Sequence, residues 1–334
     1  MFPACLMLAL LPAAWGCPIC LTLPEESAAD HLLAAKTVVL AREDPERPFH
    51  LAAIETLVGE PESGEIDLFL DSSTRRLLKT RPDRAVVLAR VKEKSEWVWR
   101  RLGVSDSNFG PVVREIVAQR ATWKKNPQAR VAYFGERLAH PDRQVRELAR
   151  LEIAAAPYKE IRKLGKVVPR EELRRSLRNI RDAAWHPLYI LLLAQSGDPE
   201  DRAYLLESFD AAARFGSSLR LAAWATAYVE LRGRDGLAVI EERYGRNPGR
   251  SRSEIEAIVQ ALSVLGTGGS ADMQGRIVAV YRSLLRSHPA MAPRIVGDLE
   301  AWGWLDDDFA LLLAQPRQER SFEEELRRRG EPGR

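Results

Sequence analysis

The sequence predicts an α+β chain that is mainly α: a small β-barrel-like domain near the N-terminus, then an α-solenoid of helical hairpins. Three observations carry this. Between Leu21 and Glu93 the apolar residues fall in short β-branched runs. Beyond Ser95 they recur at helical spacing for most of the chain. Glycines 197, 233 and 266 then separate helical segments at steps of 36 and 33 residues (233 − 197 and 266 − 233), within the range of a stacked repeat.

With 334 residues, the chain has room for about two domains. Hydrophobic residues at 46% and charged residues at 29% exclude a disordered chain and a membrane bundle. The 50 Lys and Arg nearly cancel the 47 Asp and Glu. A net charge of +3, with the signs interspersed, gives no clustered basic excess for phosphate, so nucleic acid is not an expected partner.

Residues 1–16, MFPACLMLALLPAAWG, carry no charge and contain an apolar run from Leu6 to Ala14. Ala14 and Gly16 put small residues at −3 and −1 of a cut before Cys17. The run predicts a secretory signal peptide, and so a secreted or periplasmic protein. It is too short to span a bilayer, which takes about 20 apolar residues. A cut before a cysteine also raises a lipoprotein anchored at Cys17. That alternative lacks the usual leucine at −3, and it is the one route by which a membrane would enter.

Residues 17–94 form the predicted β-rich domain. A short helix, Glu25 to Ala35, precedes four strands: Thr37 to Ala41, Phe49 to Val58, Glu65 to Asp71 and Ala85 to Val91. Turn formers separate them at Asp44-Pro45, Pro61 to Gly64 and Arg81-Pro82-Asp83. Strands of this kind, after a cysteine pair, resemble the OB-like netrin-module group over about 75 residues. The resemblance implies a compact barrel. It implies further that the amine and carbonyl of Cys17 could chelate a zinc, as in inhibitors of that group. The spacing C-x-x-C and the missing partner cysteines depart from the group's pattern.

Residues 95–126 are expected to be a connecting helical segment, with a helix from Phe109 to about Lys124 ended by Asn126-Pro127. Residues 127–314 are expected to be the repeats. Arg130 to Ala139 reads as one helix, His140-Pro141-Asp142 as a turn, and the next helix carries Val145, Leu148, Ala149 and Ile153 on one side. Asp142 can cap it by accepting from free backbone N–H groups. The stretch Leu138 to Ala149, with its pattern L-x-x-P-D-x-x-V-R-x-x-A, resembles the turn and second helix of a HEAT repeat. The resemblance implies that Asp142 and Val145 serve stacking and that Arg146 bridges neighbouring repeats. Three later hairpins echo it: Pro187 to Phe209 around Gly197, Leu219 to Tyr244 around Gly233, and Ile255 to Arg286 around Gly266. One hairpin cannot bury both faces, whereas stacked neighbours can. Tyr158 to Trp185 reads as an irregular unit, and residues 315–334 as a charged, disordered tail.

Cys17 and Cys20 are the leading chemical candidates. C-x-x-C can be a local disulfide, a redox pair or half a metal site. Haem attachment needs a histidine where Leu21 stands, and no second cysteine pair completes a zinc site. His31, His50, His140, His186 and His288 show no metal-binding spacing. No nucleophile elbow, Walker loop or dinucleotide fingerprint occurs, so no catalytic set and no cofactor are predicted. Gly266 to Ser270 reads as a flexible turn, and Asp306-Asp307-Asp308 as the N-cap of a helix from Phe309. Trp97, Trp99 and Trp123 are expected to fill the seam between barrel and helices. Arg174, Arg178 and Arg181 are expected on one helix face, a basic patch for an acidic protein partner. The function expected from all this is non-enzymatic: a protein-interaction scaffold of the envelope or secreted space. A thiol-redox or metal-binding factor using Cys17 and Cys20 is the alternative.

Overall fold

The computed structural model describes residues 17–20, 26–60, 66–306 and 309. The expected signal peptide and the charged tail lie outside them. The described residues form two compact units, divided between Ser196 and Gly197.

The first unit holds α1 (Ala28–Ala34), β1 (Thr37–Glu43), β2 (Leu51–Val58), α2 (Ser72–Thr80), β3 (Ala85–Glu93) and β4 (Glu96–Ser105). The four strands make one open antiparallel sheet in the order β2-β1-β3-β4. The expected barrel is therefore corrected to an open sheet whose central strands, β1 and β3, are buried on both sides. Val39, Ala41, Leu51, Ile66, Leu70, Leu78, Val86 and Leu88 form a core on one face, with α2 against it. Val38, Leu40, Val87, Ala89 and Val91 are buried on the other, the side of α1 and α3 (Phe109–Ala118). Strands covered on both sides read as unbroken apolar runs, which is the pattern of Val38-Val39-Leu40-Ala41 and Val86-Val87-Leu88-Ala89.

Two further corrections concern this sheet. Of the run Glu65 to Asp71, the described residues Ile66 to Asp71 form no strand; among them Ile66 makes an isolated bridge, to Leu51. Asp71 instead caps α2, accepting from the Thr74 N–H at 2.9 Å. The chain after Ser95 is strand before it is helix. Lys94 and Ser95 form a two-residue turn, with Lys94 at φ 55°, and β4 returns beside β3. A register shift opposite Val87 and Leu88 puts a bulge in β4. There Gly103, at φ 151°, lies so close to Gln144 that an added Cβ would sit 2.1 Å from its amide nitrogen.

The rest of this unit is helical: α4 (Arg120–Lys125), α5 (Pro127–Gly135), α6 (Arg143–Ala154), α7 (Tyr158–Ile161), α8 (Arg170–Arg178) and α9 (His186–Leu193), with 3-10 turns at Arg162–Lys166 and Ile180–Trp185. Pro127 opens α5, where its missing N–H costs nothing. Asp142 caps α6 as expected, accepting from the Val145 N–H at 3.0 Å.

The second unit contains α10 (Pro199–Phe215), α11 (Leu221–Arg232), α12 (Arg234–Ile240), α13 (Arg252–Thr267), α14 (Ala271–Ser287) and α15 (Ala292–Trp302). The starts of α10, α13 and α14 are set by side-chain caps at Asp198, Ser251 and Ser270. Gly216 in the left-handed region ends α10. Every substantial contact in this unit joins elements adjacent or next but one along the chain: α11 meets α13, α12 meets α14 and α13 meets α15. The helices α9 and α10, read from the sequence as one hairpin, belong to different units. Among the described residues no helix is long and apolar enough to cross a membrane.

Candidate functional site

Cys17 and Cys20 form a tight turn, with the Cys20 N–H donating to the Cys17 carbonyl at 3.0 Å. Both side chains are buried, and the sulfurs stand 3.2 Å apart, the Cys20 thiol pointing its proton at Cys17. That hydrogen bond lowers the Cys17 pKa; the same bond, with burial, pushes the Cys20 thiol well up. The opposite directions of the two shifts make Cys17 the more readily deprotonated thiol of the pair. Among the described residues no group of three or more His, Cys, Asp or Glu side chains is placed to hold a metal ion, so the pair recruits no further ligand from them.

The densest polar cluster was not anticipated. Arg150 on α6 is 1% exposed. Its Nε donates to the Tyr189 hydroxyl at 2.6 Å, and one terminal nitrogen reaches Glu147 at 2.8 Å and Asp182 at 2.9 Å. The Trp185 indole N–H donates to the other oxygen of Glu147 at 3.0 Å. The guanidinium also faces the rings of Tyr189 and Trp185 at 5.3 and 5.8 Å. His186 Nε2 lies 3.1 Å from the Ser176 carbonyl and 3.2 Å from that of Asn179. Desolvation opposes the Arg150 charge, yet its neighbours raise its pKa on balance. The cluster ties α6 to α9 and to the 3-10 turn before it.

A second buried group ties α1 to α5 and α6. Arg130 contacts Asp30 at 2.6 Å and Glu152 at 2.6 Å, and the Ser27 hydroxyl donates to Glu152 at 2.5 Å. Burial raises the Glu152 pKa despite these donors. In the second unit, Tyr281 and Ser263 donate to Asp298 at 2.5 and 2.7 Å, joining α13, α14 and α15. Burial pushes both Tyr281 and Asp298 up.

The structure redistributes the remaining expected site residues. Val145 is buried. Arg146 turns back on its own hairpin, donating to the carbonyls of His140 at 2.5 Å and Pro141 at 3.1 Å; it is Arg150, one turn later, that reaches Asp182 and Tyr189. Arg174 and Arg178 lie on α8, where Arg178 donates to the Arg174 carbonyl at 3.2 Å. Arg181 does not share that helix. Asn179 leaves α8 in an extended conformation, and Arg181 is the second residue of the 3-10 turn Ile180–Trp185 beyond it.

The three tryptophans do not cluster. Trp99 packs against the sheet core, Trp97 is 41% exposed beside Lys36, and Trp123 packs on Tyr133 and Phe134 with centroids 5.2 and 5.8 Å away. Asp306 accepts from the Phe309 N–H at 2.9 Å, as a cap does; Asp307 and Asp308 lie outside the described residues.

Against this geometry, comparison with family models, with curated proteins and with solved structures finds no match.

Proposed function

We propose that this chain is an exported, non-enzymatic scaffold that binds a protein partner, and that its second unit is a short solenoid of HEAT-like hairpins. The observation that carries this reading is the order of contacts there: α11 on α13 on α15, and α12 on α14, each helix meeting near neighbours in the chain only. Such one-dimensional stacking leaves long lateral surfaces free, which is how repeat arrays bind. The buried polar groups support it as well. Arg150, Glu152, Tyr281 and Asp298 are each engaged by a side chain on another helix, Tyr189, Arg130, Asp298 and Tyr281 respectively.

The second unit leaves Phe215 and Leu219 77% and 67% exposed at the turn between α10 and α11. Cross-linking capture with the tagged full chain tests the reading, against a Phe215→Ser/Leu219→Ser variant of unchanged circular dichroism. The expected result is one protein, recovered in near-stoichiometric amount by the parent and lost by the variant. Recovery of nothing that distinguishes the two chains overturns it.

The sulfur geometry favours one second reading, a thiol-redox site. Here the Cys17 thiolate attacks a substrate disulfide and expels one substrate thiolate. Cys20 then attacks the mixed disulfide, releasing the second thiolate and leaving Cys17–Cys20 oxidised. The substrate gains the two electrons and the pair loses them. Burial of Cys17 works against this, since attack needs access. Incubating the reduced full chain with hydroxyethyl disulfide and counting released thiols decides the matter. Release of two thiols per chain, abolished by Cys17→Ser, supports exchange; no release from the native protein removes it.

A further inference from the structure

We propose that the outer edge of β4 pairs antiparallel with the same edge of a second copy of this chain, with Val98 opposite Val98 across a two-fold axis. The sheet order leaves β4 at an edge, and among the described residues no strand pairs with its far side. An unpaired edge is a template for a further strand.

The direction of the backbone groups follows from the hairpin. Glu93 and Glu96 close a two-residue turn, and the closing pair of such a turn exchanges hydrogen bonds. The phase alternates from there. The N–H and C=O groups of Val98 and Arg100 thus point at β3, and those of Trp97, Trp99 and Arg101 point outward. The bulge after Arg101 ends the regular stretch, which confines pairing to its first part.

Symmetry then limits the register. A two-fold axis between antiparallel strands stands normal to the sheet and keeps each face on its own side. A residue must therefore meet one of the same parity. Centring on Val98 sets Trp97 opposite Trp99 of the second copy and Glu96 opposite Arg100 of the second copy, twice each. The outward groups of Trp97 and Trp99 then exchange hydrogen bonds across the axis.

Charge complementarity selects this occupant. Within one chain Glu93 and Glu96 stand opposite each other, a like-charge pair that costs stability, and Arg100 is bonded to Glu93. In the dimer each Arg100 also faces Glu96 of the second copy, in a non-hydrogen-bonded pair where side chains approach most closely. Trp97, 41% exposed in the single chain, is covered by Trp99 of the second copy. An edge strand carrying its own opposite charges at the spacing that antiparallel self-pairing needs fits a second copy better than an arbitrary peptide.

Sedimentation velocity on the full chain over a concentration series tests this. The parent is expected to dimerise. Glu96→Arg and Arg100→Glu singly place like charges across the axis and should each raise the dimer Kd about tenfold or more. The Glu96→Arg/Arg100→Glu double swap restores the pairs and should bring Kd back to within about threefold of the parent. Trp97→Pro removes an outward N–H but no bond to β3, and should leave a folded monomer by circular dichroism. A parent that stays monomeric throughout overturns the proposal. So does a dimer indifferent to the single reversals and to Trp97→Pro, or a double swap as weak as the singles.

Discussion

Replacing Arg150 by methionine is expected to cost about 3–5 kcal/mol, among the largest single losses available in the first unit. The reasoning runs from what the side chain leaves behind. Methionine fills similar space, so the cavity term is small. The charge, however, was the shared partner of Glu147, Asp182 and the Tyr189 hydroxyl. With it gone, the largely buried Asp182 carboxylate keeps only the Asn179 amide at 3.0 Å and the buried Tyr189 phenol keeps Ser176, so a charge is left in the interior without its counter-ion, which is the costly half of a broken buried pair. Arg150→Lys keeps the charge but has one compact head where the guanidinium spread several donors over three partners, so an intermediate loss is expected. Arg146→Ala, which loses only two bonds to carbonyls of its own turn, should cost about 1 kcal/mol. Urea unfolding of the three variants, followed by tryptophan fluorescence, orders them. An Arg150→Met midpoint equal to that of Arg146→Ala would show the cluster to be incidental to stability.

The contrast between Arg146 and Arg150 shows where sequence reading reaches its limit. Helix positions were legible where they rest on local signals: Asp142, read as a cap, satisfies an N–H group within a turn of itself before α6; Asp198 and Ser270 do the same before α10 and α14 but were read as turn residues. The apolar stripe of α6, through Val145, Leu148, Ala149 and Ile153, was legible for the same reason. Arg150 and Glu152 extend the buried face of that helix, but a charged residue in an amphipathic pattern reads as solvated until its partners are known. Those partners, Asp182 and Tyr189, lie more than 30 residues away and have no spacing rule. The sheet was half legible. The runs at β1 and β3 declared strands, but their unbroken apolar character, which belongs to strands covered on both faces, was read as a barrel where the structure has an open sheet with helices on both sides. β4 was missed because its bulge resets the alternation after Arg101, and α2 because Leu77 and Leu78 are few among polar neighbours. Cys17 and Cys20 were found at once, since their chemistry depends on a spacing of three residues; their burial was not readable.

A glycine gives the second large effect, and its sign is the test. Gly266 lies in the last turn of α13, where alanine would ordinarily favour the helix by about 1 kcal/mol. Here an added Cβ would sit 2.2 and 2.3 Å from two atoms of the Trp302 ring, far inside contact distance. The ring cannot withdraw freely. It stacks on Tyr281 with centroids 6.0 Å apart, and its indole N–H donates to Thr267 at 3.3 Å. Tyr281 in turn is held by Asp298 at 2.5 Å, so displacement is passed into the joint of α13, α14 and α15. Gly266→Ala is therefore expected to destabilise by about 1–3 kcal/mol, the usual toll of overpacking, in spite of the better helix former. In a Trp302→Ala background the obstruction is absent, and the same substitution should stabilise by up to about 1 kcal/mol. The two effects differ in sign, so errors in the size of either leave the comparison intact. Thermal melts of the parent, both single variants and the double variant complete the cycle. If Gly266→Ala raises Tm with Trp302 present, the ring does not occupy the space above this turn, and the account of how α15 seats on α13 falls with it.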